Sequence, residues 1–509
     1  MNLYIPGIFD DVFGPVMQPG SSSHTAGPCR LGYMTGSLLK AKLKKIKILL
    51  DSKGSFAGTF GYMNEDLGML AGAYGFLPDD ERLFDIREIL KNEGIEYSFE
   101  YVTLKNRHPN AIRFILTDVD GNEYTLEGNS TGGGRVETVN IMGLDIKAYG
   151  DSYIYISSKP LHFEDSIKSF RCQDEKNNYY WCTESHKDIL EEGIIYKIKP
   201  VTETVKAGKV QLFDSFEKWK EESKNYNGCL FETAVRYEML LIGERRDEII
   251  SRMKSRKELM EAETNAPYLN PEGVLETPFS GYHFRKWDSY IEEKKSIQSD
   301  LNTKILKYVF AVQALTKGVK LVPGPMGTGG GFLYSALRAF SEEKNISSQK
   351  IVESLFVAAG VGIIAYSKTD PTGEITGCTG ECGICQAMTA AAITYLSDGS
   401  AQQIENAASL ALQATLGWAC DPIPGGSNQP CLSRFVTGSI MAITFADLAL
   451  SGRSAVVPFD EVVDVMKKMS EEMPSKLKCT SQGGICESPC AKNCKKNFNE
   501  WFYKQGEKK

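Results

Sequence analysis

Three cysteines in the C-terminal half of the chain have surroundings suited to ligands of an inorganic cluster. Cys378 lies in the run GCTGECG, Cys420 in ACDPIPG and Cys431 in QPCLSR. Glycine and proline in or beside each run allow irregular backbone close to a ligand, so three thiolates can converge on one cluster. Three protein ligands on a four-iron cube leave one iron open, and an open iron is a Lewis acid. The pattern favours catalysis over electron transfer, with buried structural thiols as the alternative.

Further cysteines near these runs leave several interpretations open. Cys382 and Cys385 form a CxxC that could supply alternative ligands or a redox pair, and helix packing is favoured for Cys385. The tail carries four more, Cys479, Cys486, Cys490 and Cys494. The CxxxC spacing of the last three predicts one face of a helix. The tail could hold a second cluster or zinc, could cap the open iron with a regulatory thiol, or could be disordered with incidental cysteines.

The composition is typical of a soluble enzyme. The chain has 509 residues, of which 24% are charged and 42% hydrophobic, enough for two or three domains. A net charge of -7 predicts no general attraction to nucleic acid. We find no run of about 18 apolar residues, so we expect no membrane partner. The first residues lack the basic region of a signal peptide, and we expect a cytoplasmic protein whose 13 cysteines are reduced or metal-bound.

The elements that must position these residues change character along the chain. Residues 1–145 combine strand-like alternation, as in EYSFEYVTL and AIRFILTDV, with the helix-like EDLGMLAGAYGF. Residues 146–210 hold further strand-like runs and close in a predicted linker, TETVKAGK. Helical segments separated by Gly/Pro-rich turns dominate 211–475, and 476–509 is a Cys- and Lys-rich tail. The predicted fold class is α+β, an N-terminal mixed α/β domain followed by a C-terminal all-α domain. Its predicted helices are 229–262, 296–319, 333–343, 347–367, 384–396, 401–416, 434–451 and 459–472.

Two groups of runs together resemble one known family. SSSHTAGP, GSFAGTF, HPNAIRF and NSTGGG resemble the β region of the iron–sulfur-dependent L-serine dehydratases, also called L-serine ammonia-lyases. GCTGECGICQAMTAAA and GWACDPIPGGSNQPCLSR resemble their α region. The order matches a single-chain, fused form, with 1–145 as the β-like domain and 211–475 as the α-like domain that carries the cysteines.

The resemblance implies a cofactor and a reaction. Members of this family hold a 4Fe–4S cluster on the cysteines that correspond to Cys378, Cys420 and Cys431. They eliminate water from serine, a small amino-acid substrate, to give pyruvate and ammonia without pyridoxal phosphate. A homodimer is left open.

The same resemblance, with the chemistry of the residues, predicts where the substrate binds. Hydroxyl groups and the backbone N–H groups of Gly-rich turns suit a carboxylate. The predicted substrate-binding residues are Ser21, Ser22, Ser23, Thr25, His108, Gly132, Gly133 and Gly134. For the serine run a helix N-cap is the plain alternative. His108, before a proline, is either a substrate-site or a turn residue.

The chain departs from the family pattern at two places. Family β regions usually read GHGTD shortly after GSFA-x-T, whereas this chain reads GSFAGTFGYMNED, so Met63 or a neighbour replaces a histidine and only Asp66 is kept. His24 and Glu65 are the predicted catalytic residues in its place. The family's APT-x-G-type turn is PGPMGTGGG here.

These departures keep other functions open. Threonine, or cysteine with sulfide as the leaving group, could replace serine as substrate, because soft sulfur binds iron readily. A hydro-lyase for a hydroxy acid is a further option. From another functional class, a non-catalytic cluster protein could sense iron or oxygen, and the missing histidine supports it.

Overall fold

The computed structural model describes residues 4–106, 108–161, 166–204, 206, 210–275, 283–425 and 430–507. The chain forms two compact units. Unit 1 comprises Met1–Tyr4 and Gly20–Gly208, and unit 2 comprises Ile5–Pro19 and Lys209–Lys509. Unit 1 mixes strands and helices whereas unit 2 is helical, so the predicted α+β class is confirmed. The domain boundaries at 145, 210 and 475 stay predictions.

Unit 1 is built on two sheets. Its strands are β1 Leu43–Asp51, β2 Glu96–Val102, β3 Ala111–Asp118, β4 Glu123–Gly132, β5 Arg135–Ile141, β6 Leu144–Asp145, β7 Tyr153–Ser157, β8 Ser166–Gln173, β9 Tyr179–Ser185 and β10 Ile194–Ile198. Its helices are α1 Gly27–Gly36, α2 Ser55–Thr59, α3 Glu65–Tyr74 and α4 Ile86–Asn92.

The larger sheet has the strand order β2-β1-β3-β4-β5-β6, and only β1 and β2 pair in parallel. Alternation explains its buried face: Ile46, Ile48 and Leu50 of β1 are buried, whereas the residues between them are less so. Helices α1 and α3 pack on each other, α1 also packs on β4 and α3 on β1. The smaller sheet is antiparallel, with the order β10-β7-β9-β8.

Unit 2 is helical in the part of the chain that the structure describes. Its helices are α5 Phe216–Ser223, α6 Leu230–Ile242, α7 Arg246–Glu263, α8 Ala266–Leu269, α9 His283–Glu292, α10 Asp300–Gln313, α11 Gly329–Lys344, α12 Ser348–Lys368, α13 Gly373–Cys378, α14 Ile384–Leu396, α15 Ala401–Gln413, α16 Cys431–Leu450, α17 Phe459–Glu472 and α18 Pro489–Glu507.

The core of unit 2 forms around α14, which is Ala-rich and packs against α11, α12, α15 and α16. The predicted helix 229–262 is two helices, because Gly243 adopts a positive φ of 76° that ends α6. The tail is ordered into α18, but Cys486 lies in a 3₁₀ turn, Gly484–Glu487, before that helix. The prediction of Cys486, Cys490 and Cys494 on one helical face is therefore wrong for Cys486.

Two helices of unit 2, Ser348–Lys368 and Cys431–Leu450, are long and apolar enough to cross a membrane by length and composition alone. Neither is an uninterrupted run of about 18 apolar residues, because charged residues lie in both. In α12, 83% of the most apolar window is buried inside the protein, as in the core helix of a globular domain, whereas in α16 the share is 28%. Helices of either kind pass this test in proteins that cross no membrane, so it does not establish a membrane span.

Candidate active site

In unit 1 the serine run forms one turn of π-helix, Ser22–Ala26, that leads directly into α1. The Ser21 hydroxyl accepts a hydrogen bond from the His24 N–H at 3.2 Å, and Thr25 Oγ1 accepts one from the Ser21 N–H at 3.0 Å. Ser21 is thus an N-cap, as the plain alternative had it. The turn presents the remaining side chains, and Ser22, Ser23, His24 and Thr25 are all buried.

The His24 imidazole is held by two hydroxyl groups. Its Nδ1 lies 2.9 Å from Ser23 Oγ, and its Nε2 lies 2.9 Å from Ser55 Oγ at the start of α2. The Phe56 ring packs edge-on at 5.1 Å between ring centroids. The tautomer decides which partner donates in each bond. Ser55 belongs to GSFAGTF, one of the runs that resemble the family, but the run does not show which of its residues lies at the site.

Glu65 is the first residue of α3 and is fully buried. Its Oε2 accepts a hydrogen bond from the Met63 N–H at 2.9 Å, while Oε1 makes no hydrogen bond to any residue that the structure describes. Burial raises the pKa of Glu65 to about 7, against the lowering effect of a nearby His24 charge. A carboxyl group poised near neutral pH is what a general base requires.

The glycine run closes the turn between β4 and β5. Gly132, Gly133 and Gly134 all have positive φ, which glycine alone adopts without strain. The hairpin is tied to the helical side of unit 1, because Arg30 Nη1 donates to the Gly134 carbonyl at 2.9 Å and Ser130 Oγ donates to the Ser23 carbonyl at 2.6 Å. The predicted glycine and serine runs are therefore brought together.

His108 lies in the turn before β3. Its Nδ1 accepts a hydrogen bond from the Asn110 N–H at 3.1 Å. This local bond matches the turn-residue interpretation, and a role in substrate binding stays a prediction.

In unit 2 the three predicted cluster cysteines come from three separate segments. Cys378 ends α13, where Gly377, with φ of 64°, turns the backbone so that the Cys378 N–H donates to the Trp418 carbonyl at 2.9 Å. Cys420 follows Trp418 in the chain, and Cys431 is the first residue of α16. Cys378 and Cys431 are thus carried by helix ends beside Gly377 and Pro430. None of the 13 cysteines, all in the described residues, forms a disulfide.

The charges of these thiols shift one another's pKa. The pKa of Cys431 is raised by burial and by Cys378 and Cys420, and that of Cys420 by a hydrogen bond with Cys479, by burial and by neighbouring charges. A hydrogen bond with Cys382, 3.0 Å away between the sulfurs, lowers the pKa of Cys378. Thiolate repulsion of this kind is relieved by a bound cation. The donor set therefore fits an iron–sulfur cluster.

An ion pair supports the cysteines. Arg434 Nη2 donates to Asp421 Oδ1 at 2.8 Å, and Asp421 Oδ2 accepts from the Ile485 N–H at 2.8 Å. The Arg434 guanidinium also lowers the pKa of Cys378. Both residues stand in the runs ACDPIPG and QPCLSR, so the sequence carries a signal for this ion pair.

The altered turn PGPMGTGGG lies against the first cysteine run. Cys382 Sγ is 4.0 Å from Met326 Sδ, and Cys385 Sγ donates to the Gly329 carbonyl at 3.3 Å. Cys385 sits in α14 within the hydrophobic core, which is the packing role favoured from the sequence.

Comparison with known proteins decides the family. The sequence model of the family described as serine dehydratase alpha chain matches residues 184–486, more than half of the chain. The chain belongs to the iron–sulfur L-serine dehydratase family. The resemblance drawn from the motifs is thereby confirmed, and the family is one of lyases.

Three relatives show how the likeness is distributed. A probable L-serine dehydratase alpha chain of Bacillus subtilis is 28% identical over 289 residues, 56% of this chain and 95% of the relative. The alpha chain of Peptoniphilus asaccharolyticus L-serine dehydratase is 32% identical over 210 residues, 41% of this chain and 72% of the relative. The beta chain from the same organism is 36% identical over 142 residues, 28% of this chain and 63% of the relative. This chain is thus similar to both kinds of subunit.

Proposed function

We propose that this protein is a 4Fe–4S-dependent lyase that removes water from L-serine or a close analogue such as L-threonine. With L-serine the products are pyruvate and ammonia. What supports the proposal is that Cys378, Cys420 and Cys431 come from three segments of unit 2 and that their charges interact, in a member of the L-serine dehydratase family.

The cysteines of unit 2 hold the cofactor. Cys378, Cys420 and Cys431 are its ligands, and Arg434, paired with Asp421, stabilises the thiolate of Cys378. When bound, a cluster with one iron free of cysteine supplies a Lewis acid for the leaving hydroxyl group. No pyridoxal phosphate is needed.

Glu65 is the general base that removes the proton from Cα of the substrate. Its buried position lifts its pKa to about 7, so at neutral pH a large fraction is carboxylate and that carboxylate is more basic than an exposed one. The Met63 N–H holds Oε2, which leaves Oε1 as the proton acceptor. The backbone at the position of the missing histidine therefore orients the group that replaces it.

His24 and the hydroxyls around it bind the substrate carboxylate. Ser23 and Ser55 hold the His24 ring at both of its nitrogens. Because the ring is already oriented, it can position the substrate so that the Cα–H and Cβ–O bonds are aligned for elimination. Loss of the Cα proton and the β-hydroxyl gives 2-aminoacrylate and water. Aminoacrylate tautomerises to an imine, and water hydrolyses the imine to pyruvate and ammonia without catalysis by the protein.

A second candidate is a non-catalytic cluster protein that senses iron or oxygen. Met63, in place of the histidine expected from the family pattern, favours it. The two candidates separate on turnover, because a sensor holds the cluster yet converts no β-substituted amino acid.

The experiment is anaerobic reconstitution with iron and sulfide, followed by assays with L-serine, L-threonine and L-cysteine, with D-serine as control. Pyruvate from L-serine that disappears after exposure to air supports the proposal. Sulfide from L-cysteine without pyruvate from L-serine would change the substrate to cysteine. If a complete cluster forms but none of the three L-amino acids gives a product, the non-catalytic sensor is the remaining candidate. If no cluster forms, both candidates are overturned.

A further inference from the structure

Two cysteines of the run GCTGECG lie side by side in unit 2. The Cys382 thiol donates to the Cys378 sulfur, and the two sulfurs are 3.0 Å apart. Cys378 ends α13, and the π-helical turn Thr379–Gly383 that follows carries Cys382. Residues four apart in a helical turn are neighbours on one face, so the local backbone keeps these two thiols together.

The second cysteine of the CxxC motif has a different partner. Cys385 lies in α14, and its sulfur donates to the Gly329 carbonyl at 3.3 Å. The CxxC spacing drew attention to Cys382 and Cys385, whereas the thiol contact in the structure joins Cys382 to the predicted cluster ligand Cys378.

A small pocket in unit 2 reaches this pair of thiols. It is partly open to solvent, and Cys382, Cys385, Gln386, Arg434 and Gly438 lie in its lining. Its room suits a molecule about the size of water or hydrogen peroxide rather than an amino acid.

The pocket contains a polar atom that a small ligand can bind. Gln386 is 2% exposed, and its Nε2 donates to the Ala411 carbonyl at 3.2 Å. Its Oε1 makes no hydrogen bond to any residue that the structure describes. A buried acceptor without a partner is costly, and the O–H group of a small ligand would satisfy it.

Gly438 of α16 leaves the space beside this oxygen. A methyl group at position 438 would lie 3.6 Å from Gln386 Oε1 and 3.7 Å from its Cβ, which are ordinary contact distances. Alanine is also favourable inside a helix. Gly438→Ala therefore narrows the pocket without forcing its neighbours to move.

We propose that Cys378 and Cys382 form a disulfide with hydrogen peroxide that enters through this pocket, in the chain before its cluster is assembled. Cys382 is then a resolving thiol that keeps the ligand Cys378 from irreversible oxidation. The role of Cys378 as a ligand rests on the proposed function, whereas the disulfide itself needs no cluster.

The reaction takes two balanced steps. The sulfur of one thiol attacks a peroxide oxygen, the O–O bond breaks, and the products are a sulfenic acid and water. The other thiol then attacks the sulfenic sulfur, the S–O bond breaks, and a second water leaves as the disulfide forms. Two thiols lose two electrons to one peroxide, and both thiol protons end in water. A thiol reductant reverses the disulfide, but not the sulfinic acid that a lone sulfenic acid forms with more peroxide.

The first test locates the bond by mass spectrometry. The iron-free chain is treated with one equivalent of hydrogen peroxide, its free thiols are blocked, and it is cleaved after glutamate. Glu381 separates the two cysteines, so peptides 375–381 and 382–405 should be found linked. Cys385→Ser is the matched control from the same pocket and should give the same link. A bond inside 382–405, or no link between the two peptides, would show that the proposed disulfide is wrong.

The second test examines the pocket. Gly438→Ala should slow the linking by peroxide by about tenfold or less, since one hydrogen-bonded ligand position is lost. In guanidinium chloride the variant and wild type should link at the same rate, because no pocket remains. Equal rates in the folded proteins would remove the pocket from the reaction.

The third test examines protection of Cys378. After excess peroxide and then dithiothreitol, peptide 375–381 should regain its unoxidised mass in wild type and in Cys385→Ser. In Cys382→Ser and Cys382→Ala it should carry two added oxygens, and these chains should then take up less iron than wild type. Circular dichroism before oxidation checks the fold of each variant. An unoxidised peptide in both Cys382 variants would contradict the resolving role.

Iron loading without peroxide separates this inference from the proposed function. Reduced Cys382→Ser should assemble the same cluster as wild type, and failure to do so would make Cys382 a ligand and overturn its resolving role. Linked peptides in a chain that takes up no iron, even when reduced, would support the disulfide and overturn the proposed function.

Discussion

The two units assemble their candidate chemistry in opposite ways. In unit 1, His24, Ser55 and Glu65 come from one stretch of chain around α1, α2 and α3, and each is held by its own hydrogen bonds. In unit 2, Cys378, Cys420 and Cys431 lie on segments spread along the domain, and the charges of Cys378 and Cys420 raise the pKa of Cys431. We expect a set held by separate bonds to lose function by degrees, and cysteines that share the proposed cluster to lose it together.

The largest expected effect is at the shared set. Cys420→Ser should abolish both the brown cluster absorbance and lyase activity, because a cluster cannot keep its iron when one of few ligands is removed. Absorbance, iron content and pyruvate formation after anaerobic reconstitution measure this. Cys385→Ser is the control and should keep all three, since a serine hydroxyl can still donate to the Gly329 carbonyl. A fully active Cys420→Ser would show that the ligand assignment is wrong.

In unit 1 the largest loss should follow Glu65→Gln, about 1000-fold in kcat if Glu65 is the general base. The cluster should be unaffected. Because the folded-state pKa is raised to about 7, wild-type kcat should rise with pH through about 7, and the variant should lack this limb. The exposed Glu93→Gln serves as control.

Protein stability gives an independent check on the same residue. A raised carboxyl pKa contributes stability that is full below the ordinary value and is lost as pH rises through about 7. Glu65→Gln should therefore be at least as stable as wild type at pH 8 by thermal unfolding. A variant that is inactive because it has unfolded would contradict the assignment.

A smaller loss is expected at His24. His24→Ala should leave the cluster in place and reduce turnover by about 100-fold, because the substrate carboxylate loses a group that positions it. The charge of His24 lowers the pKa of Glu65, whereas the charge of Asp66 raises it. Removal of His24 should therefore also move the rise of kcat with pH to higher pH. His186→Ala, directly after β9 in the same unit, is the control. An unchanged rate and pH profile would remove His24 from the site.

The same contrast explains what could be predicted from sequence. The strands of unit 1 were predictable because Ile46, Ile48 and Leu50 alternate with less buried residues, which is a local signal. Gly243 divides the helix predicted at 229–262, and the helical periodicity that continues on both sides of it hides this break. The runs around Cys378, Cys420 and Cys431 were recognisable as family motifs, and the family match confirms the resemblance that rests on them. The roles of the individual site residues stay predictions.

What could not be predicted depends on tertiary contacts. Ser55 acts on His24 only because α2 returns to the serine turn, and no spacing rule connects them. The neighbour of Cys420 is Cys479 because a backbone bridge joins distant segments, whereas the helical spacing of the tail pointed to Cys486, Cys490 and Cys494 instead. Spacing rules relate residues within one helix or strand, whereas the residues of a ligand set come from several such elements.

The smallest expected effect tests whether unit 1 really loses function by degrees. Ser55→Ala removes the hydroxyl that bonds His24 Nε2. The start of α2 keeps its backbone contacts, because the N-cap of α2 is Gly54 and Thr59 bonds the Ser55 carbonyl. One hydrogen bond contributes about 0.5–1.5 kcal/mol, so kcat/KM should fall by about tenfold or less.

The control for Ser55→Ala is Ser169→Ala, which breaks one hydroxyl pair with Thr183 at 2.9 Å in the smaller sheet and should not change kcat/KM. Steady-state kinetics at several pH values measure both variants. A loss as large as that of His24→Ala would mean that the imidazole works only when both nitrogens are held, and unit 1 would then behave as an all-or-none set like the cysteines. No loss would mean that the imidazole is oriented without Ser55, for instance by Ser23, whose Oγ lies 2.9 Å from Nδ1.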